Sequence, residues 1–304
     1  MVGRNILESE VFAKHEIFAP KRTDLNLFDF EKVCQAIEKF QPEVVIHSAG
    51  RVGGIQANLA HPVDFLIENL DLGRNVIMAA YKSNVKKLIN LGTSCMYPRD
   101  AKNPLSEKVI MTGPLEPTNE GYAIAKIAAQ RLCSYIQKEN LEFHYKTLIP
   151  CNLYGKFDKF DPRHSHLVPA IIYKIHQAKT KSENEVEVWG DGHARREFMY
   201  SEDLVECIAR ALEGQGQNFE KMPDIMNVGL GSDHSVNEYY EEAAKVIGYK
   251  GKFVHDLSKP VGMEQKLVSN TLVTQWGWKS RTTLRDGLTK TYEYFLKTQV
   301  EAEV

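Results

Sequence analysis

With 304 residues and 43% hydrophobic composition, the chain is long enough to bury a substantial core, as one large α/β domain or as a large domain with a smaller lobe. Its formal net charge of −2, with basic residues in short doublets such as Lys86-Lys87 and Arg195-Arg196, argues against a nucleic-acid or polyanion binder. Five scattered cysteines (Cys34, Cys95, Cys133, Cys151 and Cys207) form no Cys-x-x-Cys pair, so neither a disulfide framework nor a zinc site is expected. No apolar run approaches the roughly 20 residues of a membrane span, and the expectation is a cytoplasmic protein with no membrane partner.

Taken in chain order, Met1-Val2-Gly3-Arg4-Asn5 lacks the apolar stretch of a signal peptide. Residues 16–19 read as a strand, followed by Lys21 and Arg22. Residues 43–50 form an apolar run ending in small residues, as a buried parallel strand does. A helix is predicted over 69–83, a strand over 87–92, a helix over 121–139 and a strand over 145–149. This alternation favours a doubly wound parallel sheet covered by helices. Residues 152–166 read as a long loop, and such loops are often functional. Beyond it come a helix over 167–179, a strand over 185–189, a helix over 201–213 and a strand over 224–228. Ser235 and Glu238 form a Ser-x-x-Glu capping box opening another helix, and a last helix spans 284–297.

The strongest chemical signal is Tyr122-Ala123-Ile124-Ala125-Lys126. Residues i and i+4 share a helix face, and an ammonium beside a phenol is expected to lower its pKa and make it a usable proton donor or acceptor. The spacing alone arises by chance, with a surface pair as its alternative. Here, however, the helix follows a strand ending in Leu91-Gly92-Thr93-Ser94-Cys95, and ligands bind beyond the carboxyl ends of strands in such sheets. A strand-end hydroxyl followed by a Tyr/Lys helix is the layout of short-chain dehydrogenases/reductases.

Several segments resemble the GDP-L-fucose synthase family within that superfamily. They include Ala49-Gly50-Arg51-Val52-Gly53-Gly54-Ile55, Gly92-Thr93-Ser94-Cys95-Met96-Tyr97-Pro98 and Leu115-Glu116-Pro117-Thr118-Asn119-Glu120. Asn152-Leu153-Tyr154-Gly155, Ser165-His166-Leu167-Val168-Pro169-Ala170, Trp189-Gly190-Asp191-Gly192 and Arg196-Glu197-Phe198 fit as well. The resemblance implies a Rossmann-type NADP(H)-binding domain over 1–165, receiving segments near 196–232, and a substrate lobe mainly over 166–304. It implies a reductase triad of Thr93, Tyr122 and Lys126, and an epimerising acid/base pair of Cys95 and His166. The cofactor set would be Gly3, Lys21, Arg22, Leu91, Gly92, Thr93, Ser94, Lys126, Pro150, Cys151, Asn152, Leu153 and His166. Positive charge at Lys21 and Arg22 favours the 2′-phosphate of NADP. Lys174, Trp189 and Arg196 would meet the GDP-sugar; surface charge for Lys174 and Arg196, core packing for Trp189 and a capping or solvent histidine for His166 are the alternatives. The expected assembly is a homodimer through the helices near 69–83 and 121–139.

Three departures qualify the resemblance. The family's opening strand and Gly-x-x-Gly-x-x-Gly loop are represented only by Met1-Val2-Gly3, and loss of that strand would leave two unpaired inner sheet edges, so the expectation is either a natural start further upstream or a shortened chain with impaired cofactor binding. Val261 and Ser269 stand where acids are usual, which bears on the exact sugar. The implied reaction converts GDP-4-keto-6-deoxy-D-mannose to GDP-L-fucose. An epimerase or reductase of another GDP-4-keto sugar such as a heptose, and a non-catalytic nucleotide-sugar binder, are the rivals.

Overall fold

The structure is a computed structural model and describes residues 1–161, 165–214, 217–259 and 263–302. Helix α1 (Val2–Glu8) opens the chain, and α2 (Phe30–Phe40) begins at Asp29, whose side chain accepts from Lys32 N. Strand β1 (Val44–His47) then leads through α3 (Ile55–Ala60) and α4 (Pro62–Lys82) to β2 (Lys87–Leu91). Helix α4 starts before the expected residue 69 because Pro62 fits a first helical turn, where its missing N–H has no partner to lose. Helix α5 (Glu120–Glu139), β3 (His144–Pro150) and β4 (Asn152–Tyr154) follow.

The second half runs through α6 (Leu167–Thr180), β5 (Glu185–Trp189), β6 (Arg195–Arg196), β7 (Phe198–Tyr200), α7 (Ser201–Leu212), α8 (Gln217–Lys221) and β8 (Ile225–Val228). It closes with β9 (His234–Ser235), α9 (Val236–Ile247), β10 (Lys252–Asp256), β11 (Gln265–Lys266), α10 (Thr271–Gln275) and α11 (Leu284–Ala302). The capping box at Ser235 and Glu238 is formed, each side chain meeting the other's backbone N–H.

The main sheet is parallel, in the order β1-β2-β3-β8. Alternation along β2 sends successive side chains to opposite faces. Leu88 packs with Ile77 and Ala80 of α4 and Cys133 and Ile136 of α5. Ile89 and Leu91 pack with Leu204, Val205 and Ile208 of α7. Helices therefore cover both faces, which is the doubly wound arrangement. A separate apolar core joins α6, α9 and α11 to β5, with Ile172, Ile175, Val188, Tyr240 and Phe295 buried. The larger core also takes in Val268, Val273 and Trp278 from the end of the chain.

Two expectations are corrected. Residues 16–19 form no strand: among the described residues no strand pairs with them, and Ile17 and Phe18 are exposed, Phe18 stacking on Phe40 at 5.2 Å. On the same side β1 pairs with β2 alone, and Val44, Val45 and Ile46 are half-buried. The expected loop over 152–166 opens instead with β4, which pairs in parallel with β7. Residues 162–164, also in that loop, lie outside the described residues, as does Val261.

Candidate active site

The polar cluster lies where β2 ends. A Cβ on Gly92 would come within 3.0 Å of Met96 Sδ and 3.1 Å of Ile149 Cγ1, so the chain turns through a space that only glycine leaves open. Next, Thr93 caps a short helical turn, its hydroxyl accepting from Cys95 N at 3.3 Å. Buried Ser94 sits between them. Helix α5 brings in Tyr122, whose hydroxyl hydrogen-bonds the Thr93 side chain and whose ring meets Phe65 edge-on at 6.4 Å. One turn later Lys126 is buried and donates to the Leu91 carbonyl at 3.0 Å. Thr93, Cys95, Tyr122 and Lys126 are thus brought together.

The expected lowering of Tyr122 is reversed. Burial raises its pKa well above the ordinary value, and the neighbouring Cys95 adds to the rise. Lys126 cannot offset this, because its ammonium is turned onto Leu91 and lies 5.9 Å from the phenol ring centroid. Burial also brings Lys126 down to about 8.

The loop after β1 connects this cluster to His166. A Cβ on Gly50 would lie 3.7 Å from Lys126 Nζ, and one on Gly54 would lie 3.5 Å from the Ser165 carbonyl. Asn69 on α4 holds that loop: it accepts from Arg51 N at 3.0 Å and donates to Arg51 O at 3.1 Å and Phe65 O at 2.7 Å. Half-buried His166 stands at the N-cap position of α6 without using its side chain as a cap. Its pKa is lowered, first by burial and then by Lys159.

The remaining sequence-predicted residues divide. Pro150 and Cys151 are buried at the end of β3, with Asn152 and Leu153 half-buried beyond them, and Asn152 donates to Glu197 O at 3.0 Å. Gly3 lies in α1, where a Cβ would be 3.0 Å from Ser48 Oγ. Lys21 and Arg22 are exposed, Lys21 N donating to Asp24 and Arg22 resting 5.9 Å from the Phe28 ring centroid. Trp189 is 49% exposed, which removes core packing as its role, and Lys174 lies 5.2 Å from its ring centroid. Half-buried Arg196 pairs in register with Lys266 of β11. Ser269 bonds Thr271 through its hydroxyl at 3.0 Å.

Several side chains at the site were not assigned a role from the sequence. Asn119, preceding α5, donates to Cys95 Sγ at 3.3 Å, and its Oδ1 is buried with no hydrogen-bond partner. Lys266 reaches the same sulfur at 3.7 Å, and Lys259 lies 5.6 Å from the Trp189 ring centroid. Asn119 stood inside a family motif, so its position was visible and its contact was not.

The chain matches the NAD dependent epimerase/dehydratase family over residues 1–229. Over 296 residues it is 51% identical to the GDP-L-colitose synthase of Yersinia pseudotuberculosis, covering 97% of this chain and 95% of that one. It is 49% identical to the GDP-L-fucose synthase of Azorhizobium caulinodans over 296 residues, 97% of this chain and 93% of the other. Among solved structures, GDP-mannoheptose C4 reductase from Campylobacter jejuni with NADP bound matches with a TM-score of 0.87 at 30% identity, covering 97% of this chain and 95% of that one.

Proposed function

The chain belongs to the NAD dependent epimerase/dehydratase family, alongside the GDP-L-fucose synthases, and from that premise we propose that it converts GDP-4-keto-6-deoxy-D-mannose to GDP-L-fucose with NADPH. The reaction inverts C3 and C5 and then reduces C4. One observation carries the reading: Cys95 stands beside Thr93, Tyr122 and Lys126 at the end of β2, joining a carbon acid/base to a carbonyl-reducing set. A non-catalytic binder has no use for that combination.

The residues fit the nicotinamide end of the cofactor. The loop at Gly50 lies against Lys126, a Cβ there falling 3.7 Å from Lys126 Nζ, and Lys126 would hold the nicotinamide ribose. Leu91, Gly92, Ser94, Pro150, Cys151, Asn152 and Leu153 would line the cofactor, with Gly3, Lys21 and Arg22 toward its phosphates. When bound, NADPH supplies the hydride for C4. Thr93 donates a hydrogen bond to the keto oxygen, and Tyr122, kept protonated by burial, gives that oxygen its proton.

Protons alpha to the keto group are acidic because the resulting charge spreads onto oxygen. Cys95 removes one on one face of the sugar, and His166 delivers one on the other. Burial favours neutral imidazole at His166 in the ligand-free protein, and negative charge developing on the sugar favours its protonated form. Trp189 would offer its exposed face to the guanine, with Lys174 and Arg196 near the diphosphate.

Residues 1–165, with segments near 196–232, are assigned to cofactor binding and 166–304 mainly to the substrate; the apolar core that joins α6, α9 and α11 to β5 supports a second unit, although Val268, Val273 and Trp278 pack in the larger core. A homodimer through α4 and α5 is supported by Val63 and Ile67, one turn apart and 69% and 47% exposed, with Ile124 and Tyr135 exposed on α5. Sedimentation at the monomer mass would refute it. Among the described residues no helix is long and apolar enough to cross a membrane, and a cytoplasmic location is proposed.

The test is NADPH oxidation with GDP-4-keto-6-deoxy-D-mannose, with the product identified as GDP-L-fucose. If a folded, NADPH-binding protein leaves that sugar untouched, fucose synthesis is wrong. The 51% identity to a GDP-L-colitose synthase favours the precursor of GDP-L-colitose as the second substrate to assay.

A further inference from the structure

Two polar side chains from distant parts of the chain converge on Cys95 Sγ: Asn119 Nδ2 at 3.3 Å and Lys266 Nζ at 3.7 Å. Lys266 is half-buried on β11, beside Arg196 of β6. Its backbone surroundings are fixed on both sides. Arg195 N donates to Glu264 O at 2.8 Å, and Leu267 N donates to Asn103 Oδ1 at 2.8 Å. Leu105 N donates to Leu267 O at 2.8 Å, and Val268 N donates to the buried Glu197 carboxylate at 2.9 Å. Glu197 is itself anchored by Gly231 N at 2.9 Å and by Leu230 N. The ammonium is therefore held against the sulfur by scaffold rather than reaching it from a free surface loop.

A thiol takes a proton from carbon only as its thiolate, and a cation within a few ångströms favours that anion. We propose that Lys266 is a positioning residue that holds Cys95 in the thiolate form for proton abstraction, while Asn119 fixes the direction of the sulfur. The proposal rests on Cys95 being the epimerising base. In the step, the C–H bond alpha to the keto group breaks and an S–H bond forms. The electron pair moves to the keto oxygen, and Lys266 keeps its own proton throughout. Among the described residues, Tyr122 of α5 also lies near the sulfur, and burial keeps it neutral. Lys266 thus supplies the positive charge at this end of the cluster, since the Lys126 ammonium is committed to Leu91.

The test reads the thiolate directly, with no substrate present. The full chain is treated with iodoacetamide, a neutral reagent that Lys266 does not attract, and alkylation is followed peptide by peptide. Cys34, Cys133, Cys151 and Cys207 are buried and serve as internal controls for folding. Lys266→Met is expected to slow alkylation of Cys95 by roughly three- to thirtyfold, since loss of thiolate is partly offset by the greater reactivity of the less acidic thiol. Lys266→Arg, which keeps the charge, restores most of the rate. With GDP-4-keto-6-deoxy-D-mannose in deuterated water, Lys266→Met lowers kcat for deuterium entry at C3 and C5 by a similar factor. Parent-like alkylation of the Met variant overturns the proposal, and a rise in KM alone then marks Lys266 as a substrate contact. If the Met variant does not fold, Lys266→Gln gives the same comparison. Because alkylation needs no sugar, it still decides the role of Lys266 if the GDP-sugar reading fails.

Discussion

Lys126→Met separates the cost of burying an ammonium from the use the site makes of it. Burial takes Lys126 from its ordinary value of 10.5 down to about 8. Between those values the unfolded chain binds a proton that the folded chain does not, so this residue's contribution to stability climbs with pH. It is fully present above the unfolded value and lost as pH falls through the folded one. The whole gap is worth roughly 3 kcal/mol, of which about 2 kcal/mol is recovered between pH 7 and 9.5. Urea denaturation of the ligand-free parent and variant at the two pH values measures it as a difference of differences. Buried thiols such as Cys133 and Cys207, which burial raises, pull the parent the other way in this range, but they are common to both proteins and cancel. The Leu91 carbonyl loses its donor in the variant, a penalty of about 1–3 kcal/mol that does not vary with pH. The parent is therefore expected to gain about 2 kcal/mol on the variant from pH 7 to 9.5. C4 reduction by the variant falls by about a hundredfold or more. A parent-minus-variant difference that stays flat with pH would show that Lys126 is not strained by burial, and the argument would fail.

Cys95→Ser should leave NADPH binding intact and lower deuterium entry at C3 and C5 by about 10²- to 10⁴-fold; native exchange would remove Cys95 as the base. Asn69→Ala deletes the two bonds that tie Arg51 to α4 and a third, within the helix, to Phe65 O, and should destabilise the fold by roughly 1–3 kcal/mol in urea while weakening NADPH binding; unchanged binding would mean that the loop holds its shape without α4. Trp189→Ala should raise KM for the GDP-sugar by about tenfold with kcat unchanged, and a parent-like KM would move the guanine elsewhere.

The legible parts of the site were the ones set by local spacing. Thr93 and Cys95 follow a strand, and Tyr122 and Lys126 are one helical turn apart, so sequence separation fixes the reach within each pair. The electrostatic sign of the pair was not legible. Spacing puts Lys126 near Tyr122, but burial beneath the loop at Gly50 and the free carbonyl of Leu91 decide where its charge goes. The strand expected at 16–19 failed for a related reason: β-rich composition describes a willingness to pair, and pairing requires a neighbour that this side of the sheet lacks. Lys266 was the least legible of all. It lies 171 residues from Cys95 on a two-residue strand with no periodicity, and what aims it is Glu197 and Asn103, themselves remote from it in the chain. Contacts of that kind become visible only once the sheet, the β4–β7 pair and the end of the chain have packed together, which makes the Lys266 substitution a sharper test of the assembled site than any change within the Tyr122–Lys126 helix.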